Sequence, residues 1–194
     1  MNVKIIKYNA GNVRSVLFAL ERMGVNAGVT DDAEEILSAD KIIFPGVGEA
    51  STAMEYLRQR RLDDVIKAAK QPLLGICLGL QLLCRHSEEN DTRCLGIFDV
   101  SVKKFVSNTM KIPQIGWNTI HPGEQGLFKN VPDQSYCYFV HSYYAVLAPE
   151  TIATTVYANE FSSALQKDNF YGVQFHPEKS AAVGQQILKN FLEL

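Results

Sequence analysis

The chain has no surplus of either charge. Its 19 Lys and Arg stand against 21 Asp and Glu, a formal net charge of −2, so the composition lacks the excess basicity that grips nucleic acid. It also lacks any Cys-x-x-Cys pair. The four cysteines, Cys77, Cys84, Cys94 and Cys137, fall at irregular spacing in a chain of 194 residues. A chain of that length can build its own apolar core, which leaves a disulfide framework without a physical motive and points to reduced thiols. The four histidines, His86, His121, His141 and His176, are scattered and offer zinc no ligand spacing; neither a metal nor a cofactor is expected. Long apolar runs are missing too. The longest uncharged one, residues 71–84, is interrupted by Pro72, Gly75 and Gly79 and is shorter than the roughly 20 residues a membrane-spanning helix needs. Met1-Asn2-Val3-Lys4-Ile5-Ile6-Lys7 has neither a long apolar region nor a small-residue cleavage site, so a secretory leader is not expected and the cytoplasm is.

What the chain does have is the make-up of an ordinary globular domain, 46% hydrophobic and 21% charged, which excludes disorder and fits one domain over residues 1–194. Strands are expected over 3–7, 26–29, 41–44 and 73–76, and helices over 13–23, 51–60, 62–70 and 78–85. Gly24 stops the first helix, and the third strand ends abruptly at Pro45-Gly46-Val47-Gly48. Strands apolar on both faces and alternating with helices imply a parallel sheet covered on both sides. Beyond Gly96 the texture turns β-rich, with strand-like segments at 100–106, 111–120, 136–140, 152–157, 162–166 and 170–175. A last helix over 183–194 carries Ile187, Leu188, Phe191 and Leu192 back onto the sheet. The fold class is therefore α/β, with a mixed, largely parallel central sheet flanked by helices and a β-rich C-terminal half.

The sharpest local signal is Gly75-Ile76-Cys77-Leu78-Gly79, where the fourth strand meets a helix. It has the form of a nucleophile elbow, in which the nucleophile sits in a strained backbone and the residues two before and two after must be small. A thiol in the first turn of a helix feels the positive end of its dipole, and the Leu78 N–H is aimed where an oxyanion would form. The bland alternative is a small core cysteine between two packing glycines, which is the reading given to Cys84, seven residues on along the same helix face. A thiolate nucleophile needs a base and a group to orient it. His176-Pro177-Glu178 offers both: Pro177 pushes His176 into an extended conformation, and in extended chain Glu178 projects to the same side. The alternative here is a surface histidine beside a solvated glutamate. The end of 170–175 would lie beside the elbow if both strands belong to one parallel sheet, where such folds place their sites.

The remaining candidates carry less. His86 reads as solvent-facing and His121 as part of a turn before Pro122-Gly123, while His141 could support a loop near the site without a visible partner. Arg58, Arg60 and Arg61 are a solvated helix end. Gly46 and Gly48 let the backbone approach a ligand closely, and amides of the Pro45–Gly48 segment could complete an oxyanion hole. Trp117, the single tryptophan, reads from composition as core, with an interface anchor as the other possibility.

The elbow Gly75-Ile76-Cys77-Leu78-Gly79-Leu80-Gln81, with Gln174-Phe175-His176-Pro177-Glu178-Lys179-Ser180 and Pro45-Gly46-Val47-Gly48, resembles the class I, triad-type glutamine amidotransferases. Within that class, Gly11-Asn12-Val13-Arg14-Ser15-Val16, Pro113-Gln114-Ile115-Gly116-Trp117-Asn118 and Phe139-Val140-His141-Ser142-Tyr143 are similar to the glutaminase subunits of imidazole glycerol phosphate synthases of histidine biosynthesis. The resemblance covers nearly the whole chain. It implies a flavodoxin-like fold in which Cys77 attacks the side-chain amide of glutamine through a thioester, His176 handles the protons and Glu178 holds His176. The backbone of Leu78, with Val47 or Gly48, would stabilise the oxyanions; Gly46, Gln81 and Glu89 would bind substrate, assisted by the backbone of Ser142 and Tyr143. It further implies a separate (β/α)8-barrel cyclase subunit that receives the ammonia, with Asn12 and Trp117 at the interface, which displaces the core reading of Trp117. A glutaminase serving another synthase, including one of sugar modification, would carry the same catalytic residues; a catalytically idle regulatory module is opposed by the intact Cys77, His176 and Glu178.

Overall fold

Alternate residues of the central strands feed two separate apolar layers. Ile42 and Phe44 pack with Met54, Leu57, Leu62 and Ile66, whereas Ile43 between them packs with Val16, Leu20, Ile187 and Phe191. Period-two side-chain direction thus makes a sheet that must be covered on both faces. The computed structural model describes residues 1–9, 12–124 and 126–194; Gly11 of the Gly-Asn pair lies outside them.

The first half alternates strand and helix: β1 Val3–Ile6, α1 Val13–Arg22, β2 Ala27–Thr30, α2 Ala33–Leu37, β3 Lys41–Gly46, α3 Ala50–Gln59, α4 Leu62–Ala68, β4 Leu73–Cys77 and α5 Leu78–Leu83. The second half is mostly strands: β5 His86–Ser87, β6 Thr92–Arg93, β7 Ser101–Lys104, β8 Gln114–Pro122, β9 Ser135–His141, β10 Tyr143–Ala145, β11 Thr151–Tyr157, β12 Asn159–Lys167 and β13 Phe170–Val173. The helix α6 Ala181–Glu193 follows. The sheet runs β2-β1-β3-β4-β13-β12-β10-β7-β5-β6. From β2 to β13 neighbours are parallel, and β12 and β10 continue antiparallel. A second layer of antiparallel strands, β11, β8 and β9, branches from β12.

Each sequence-based element has a counterpart, most with ends shifted by up to three residues, and four readings change. The elbow helix ends at Leu83 rather than residue 85, because Arg85 N–H donates to Val100 O at 3.0 Å and draws the chain into the sheet. Cys84 is therefore the extended residue after the helix and not on its face, although it is fully buried as expected. The strand β3 runs on through Pro45 and Gly46, placing Gly46 opposite Cys77. His121 sits in β8 and contacts Asp133 at 2.9 Å instead of occupying a turn. The short helix α2 and the strands β5, β6 and β10 add to the expected elements; Asp32 caps α2 by accepting from Glu35 N–H at 2.9 Å, a spacing typical of helix starts.

Candidate active site

Two parallel strands end side by side. The register pairs Gly172 with Gly75 and Val173 with Ile76, so the residues after Ile76 and those after Val173 emerge on one edge, the carboxyl edge where α/β sheets place their ligands. Cys77 leaves that edge with φ 55° and ψ −109°, a left-handed-side conformation that costs a non-glycine residue about 1–3 kcal/mol and persists only where its surroundings enforce it. The enforcement is steric. A β-carbon on Gly79 would overlap the carbonyl oxygen of Phe44, and one on Gly75 would lie 2.8 Å from the carbonyl carbon of Gly79. The strand β4 and the helix α5 can approach each other and β3 only through these glycines.

His176 sits just past the end of β13, 3% exposed, with its backbone extended at φ −99°, ψ 94°, as the following proline requires. Its Nδ1 lies 2.8 Å from Glu178 Oε1. The route differs from the expected one: Pro177–Lys179 is a 3-10 turn, so Glu178 folds back under the ring rather than projecting from extended chain. Ser180 Oγ donates to His176 O at 2.7 Å and accepts from Tyr138 N–H at 3.0 Å, while His176 N–H donates to Tyr138 O at 2.9 Å. The turn is thereby tied to β9. Burial opposes a charge on His176, but hydrogen bonding and charge from Cys77 and then Glu178 outweigh it and raise the imidazole to about 10. That shift favours the protonated ring over the neutral one. Glu178 Oε2 is buried without a partner among the described residues.

A cleft of about 340 Å³ opens over these groups. Val47, Gly48, Cys77, Leu78, Gln81, Glu89, Ser142, Tyr143 and His176 all line it, together with Pro113, Val140, His141 and Lys179. Gly46, expected to bind substrate, is not among the lining residues; it sits in β3 opposite Cys77, packed against Leu78 and Gly79. Gln81 Nε2 donates to Tyr143 O and to Gln174 Oε1, each at 2.9 Å, so both its protons are spent inside the protein and its carbonyl oxygen is what remains for a donor such as an α-ammonium. Glu89 accepts from Ala50 N–H at 2.7 Å; burial raises its carboxyl, offset in part by that bond. The Tyr143 carbonyl also accepts from His141 Nδ1 at 2.7 Å, which fills its two lone pairs and leaves ligand contacts to its other groups. His141 is walled by Phe105, Phe139 and Phe161, and burial lowers it to about 4, so the ring is neutral. Its Nε2 is 2.9 Å from the Gln114 amide, whose –NH₂ end must face a neutral ring that already donates from Nδ1.

Trp117 is 52% exposed, which overturns the core reading. Asn12 Oδ1 accepts from Ser15 N–H at 3.4 Å and caps α1, a structural task not read from the sequence. Sequence reasoning also gave no role to Gln174, which is fully buried and donates to Cys77 Sγ at 3.7 Å. A glutamine amid the apolar residues of 170–175 was the available signal.

The architecture and this edge are those of a known class. The chain matches the family described as Glutamine amidotransferase class-I over residues 5–194 and belongs to that family. Within it, the chain is similar along its full length to the imidazole glycerol phosphate synthase subunit HisH of Bacteroides thetaiotaomicron, at 54% identity over 196 residues and 100% of both chains. The same subunit of Escherichia coli strain K12 is 49% identical, again over 100% of both. Among solved structures, a putative GMP synthase subunit from Thermoplasma acidophilum superposes with TM-score 0.76 at 20% identity, covering 100% of this chain and 93% of that one. PurLQS from Thermotoga maritima gives 0.73 at 17%, covering 99% and 97%. At those identities the structures speak for the fold.

Proposed function

We propose that the chain is the glutaminase subunit of an imidazole glycerol phosphate synthase, hydrolysing glutamine to glutamate and passing ammonia to a separate (β/α)8-barrel cyclase subunit in histidine biosynthesis. The full-length likeness supports the assignment. The observation that carries the chemistry is that Cys77 and His176 line one cleft while the buried Glu178 lies 2.8 Å from His176 Nδ1.

Cys77 Sγ attacks the side-chain amide carbon of glutamine while His176 holds the proton. The tetrahedral oxyanion is met by the Leu78 N–H, which opens a helix and so has no acceptor within it, and by an amide of Val47 or Gly48. Collapse transfers the His176 proton to departing ammonia and leaves a thioester. His176 then takes a proton from water, which attacks the thioester through a second oxyanion and frees glutamate. Glu178 orients the ring throughout. The substrate's amino acid end is held by Gln81 and Glu89, with Ser142, Tyr143 and the backbone near Gly46 completing the pocket.

Residues 1–194 act as one glutamine amidotransferase domain, since both apolar layers cover faces of one sheet. Ile115, Trp117 and Val140, at 62%, 52% and 37% exposure, form an apolar face on β8 and β9. Val140 also lines the cleft. A barrel docked on that face covers the mouth of the cleft, and exposed apolar patches of this kind mark interfaces; Asn12 is assigned to the same interface. Four free, buried cysteines support a reducing, cytoplasmic setting; no described helix is long and apolar enough to cross a membrane. The test is glutamate release with and without the barrel partner and its nucleotide acceptor. Release stimulated by that partner supports the reading, and release indifferent to it favours another synthase.

A further inference from the structure

A hydrogen-bonded line of side chains connects the pocket wall to the nucleophile. Gln81 Nε2 donates at 2.9 Å to both Tyr143 O and Gln174 Oε1, and Gln174 Nε2 donates to Cys77 Sγ at 3.7 Å. Each amide fixes the orientation of the next. The Gln81 nitrogen must face two carbonyl oxygens, so Gln174 must present oxygen to Gln81 and nitrogen to sulfur.

Gln174 is fully buried, and Val173 and Phe175 on either side of it are fully buried and apolar. Packing alone would favour an apolar residue there, because a buried amide costs free energy unless each polar atom is bonded. The bonds its side chain makes are to Gln81 and Cys77, both of them cleft residues. Cys77 Sγ lies also 3.7 Å from Val140 O, an acceptor that suits a thiol proton and opposes negative charge. The Gln174 amide supplies the opposite polarity on sulfur, and an N–H···S contact strengthens as charge gathers there.

We propose that Gln174 is a positioning residue for the nucleophile, holding Cys77 sulfur in its attacking orientation and tying that orientation to Gln81, which faces the substrate. The proposal rests on the glutaminase reading for its kinetic consequence, but its effect on sulfur needs no glutamine. Cys77 is the thiol that a probe will find, since it lines the cleft while Cys84 and Cys137 are fully buried and burial pushes Cys94 up to about 12.

The test uses two variants, each in complex with the barrel partner. Gln174→Met keeps volume and removes the donor. Its kcat for glutamate release should fall about ten- to a hundredfold with KM changed less than about threefold, and its rate of Cys77 alkylation by iodoacetamide, read by mass spectrometry without glutamine, should fall about tenfold. Gln174→Glu offers a donor only when protonated, so its alkylation rate relative to wild type should climb as pH is lowered from 8 to 5. Wild-type alkylation in Gln174→Met, or a pH-independent ratio in Gln174→Glu, overturns the proposal. Failure of the wild-type complex to release glutamate overturns the glutaminase reading instead and leaves the alkylation result standing.

Discussion

Gly79 faces the carbonyl oxygen of Phe44 so closely that a β-carbon there would occupy the oxygen's own volume. That contact presses the first turn of α5 against β3 and leaves Cys77 no relaxed backbone to adopt. The nucleophile's strained geometry is thus a property of a residue two positions away.

Gly79→Ala should cost more than about 2 kcal/mol, the scale of overpacking a rigid site. Gly123→Ala is the control, because its β-carbon would meet Ile152 O at an ordinary 3.6 Å. Urea unfolding of both variants checks the difference; equal midpoints would mean the elbow yields more easily than its contacts imply.

Trp117 stands half exposed, its ring edge-on to Tyr138 at 5.9 Å between centroids. Trp117→Ala should leave the isolated chain within about 0.5 kcal/mol of wild type yet weaken barrel binding about thirtyfold, as removal of an interface anchor does. Calorimetric titration and thermal unfolding separate the two effects. A large fall in melting temperature without loss of binding would return the residue to a structural role.

His141 provides a pH prediction. The unfolded chain takes up its proton near 6.5, but the folded chain, burying the ring among aromatic side chains, does so only near 4. Between those values the unfolded state binds more protons, so stability is full above pH 6.5 and drains as pH falls toward 4, by up to about 3 kcal/mol. Denaturant unfolding from pH 7 to 4 should show wild type losing more than His141→Gln by that amount. Parallel losses would place the acid sensitivity elsewhere.

Much of the site was legible because its signals are local. Two glycines around Cys77 and a proline after His176 constrain their own backbones, and the apolar runs of β4 and β13 forecast the strands that bring them together. What escaped depends on distance. His141 finds Gln114 across 27 residues and Gln174 finds Gln81 across 93, pairings that no spacing announces. The two-residue strands β5 and β6 exist only through pairing with each other and β7, so neither leaves a periodic trace. Glu178 reaches the right partner through a turn that extended-chain reasoning does not foresee. Composition misplaces Trp117 because a large aromatic on a strand looks the same facing in or out.

The central claim is a division of labour, in which Cys77 frees ammonia and the barrel partner consumes it. The most direct test is Cys77→Ala assembled with the barrel partner and its nucleotide acceptor, with imidazole glycerol phosphate formation measured first from glutamine and then from ammonium salt. Synthesis from glutamine should be abolished while synthesis from ammonium continues at the wild-type rate. Equal loss of both, or undiminished synthesis from glutamine, would contradict that division of labour.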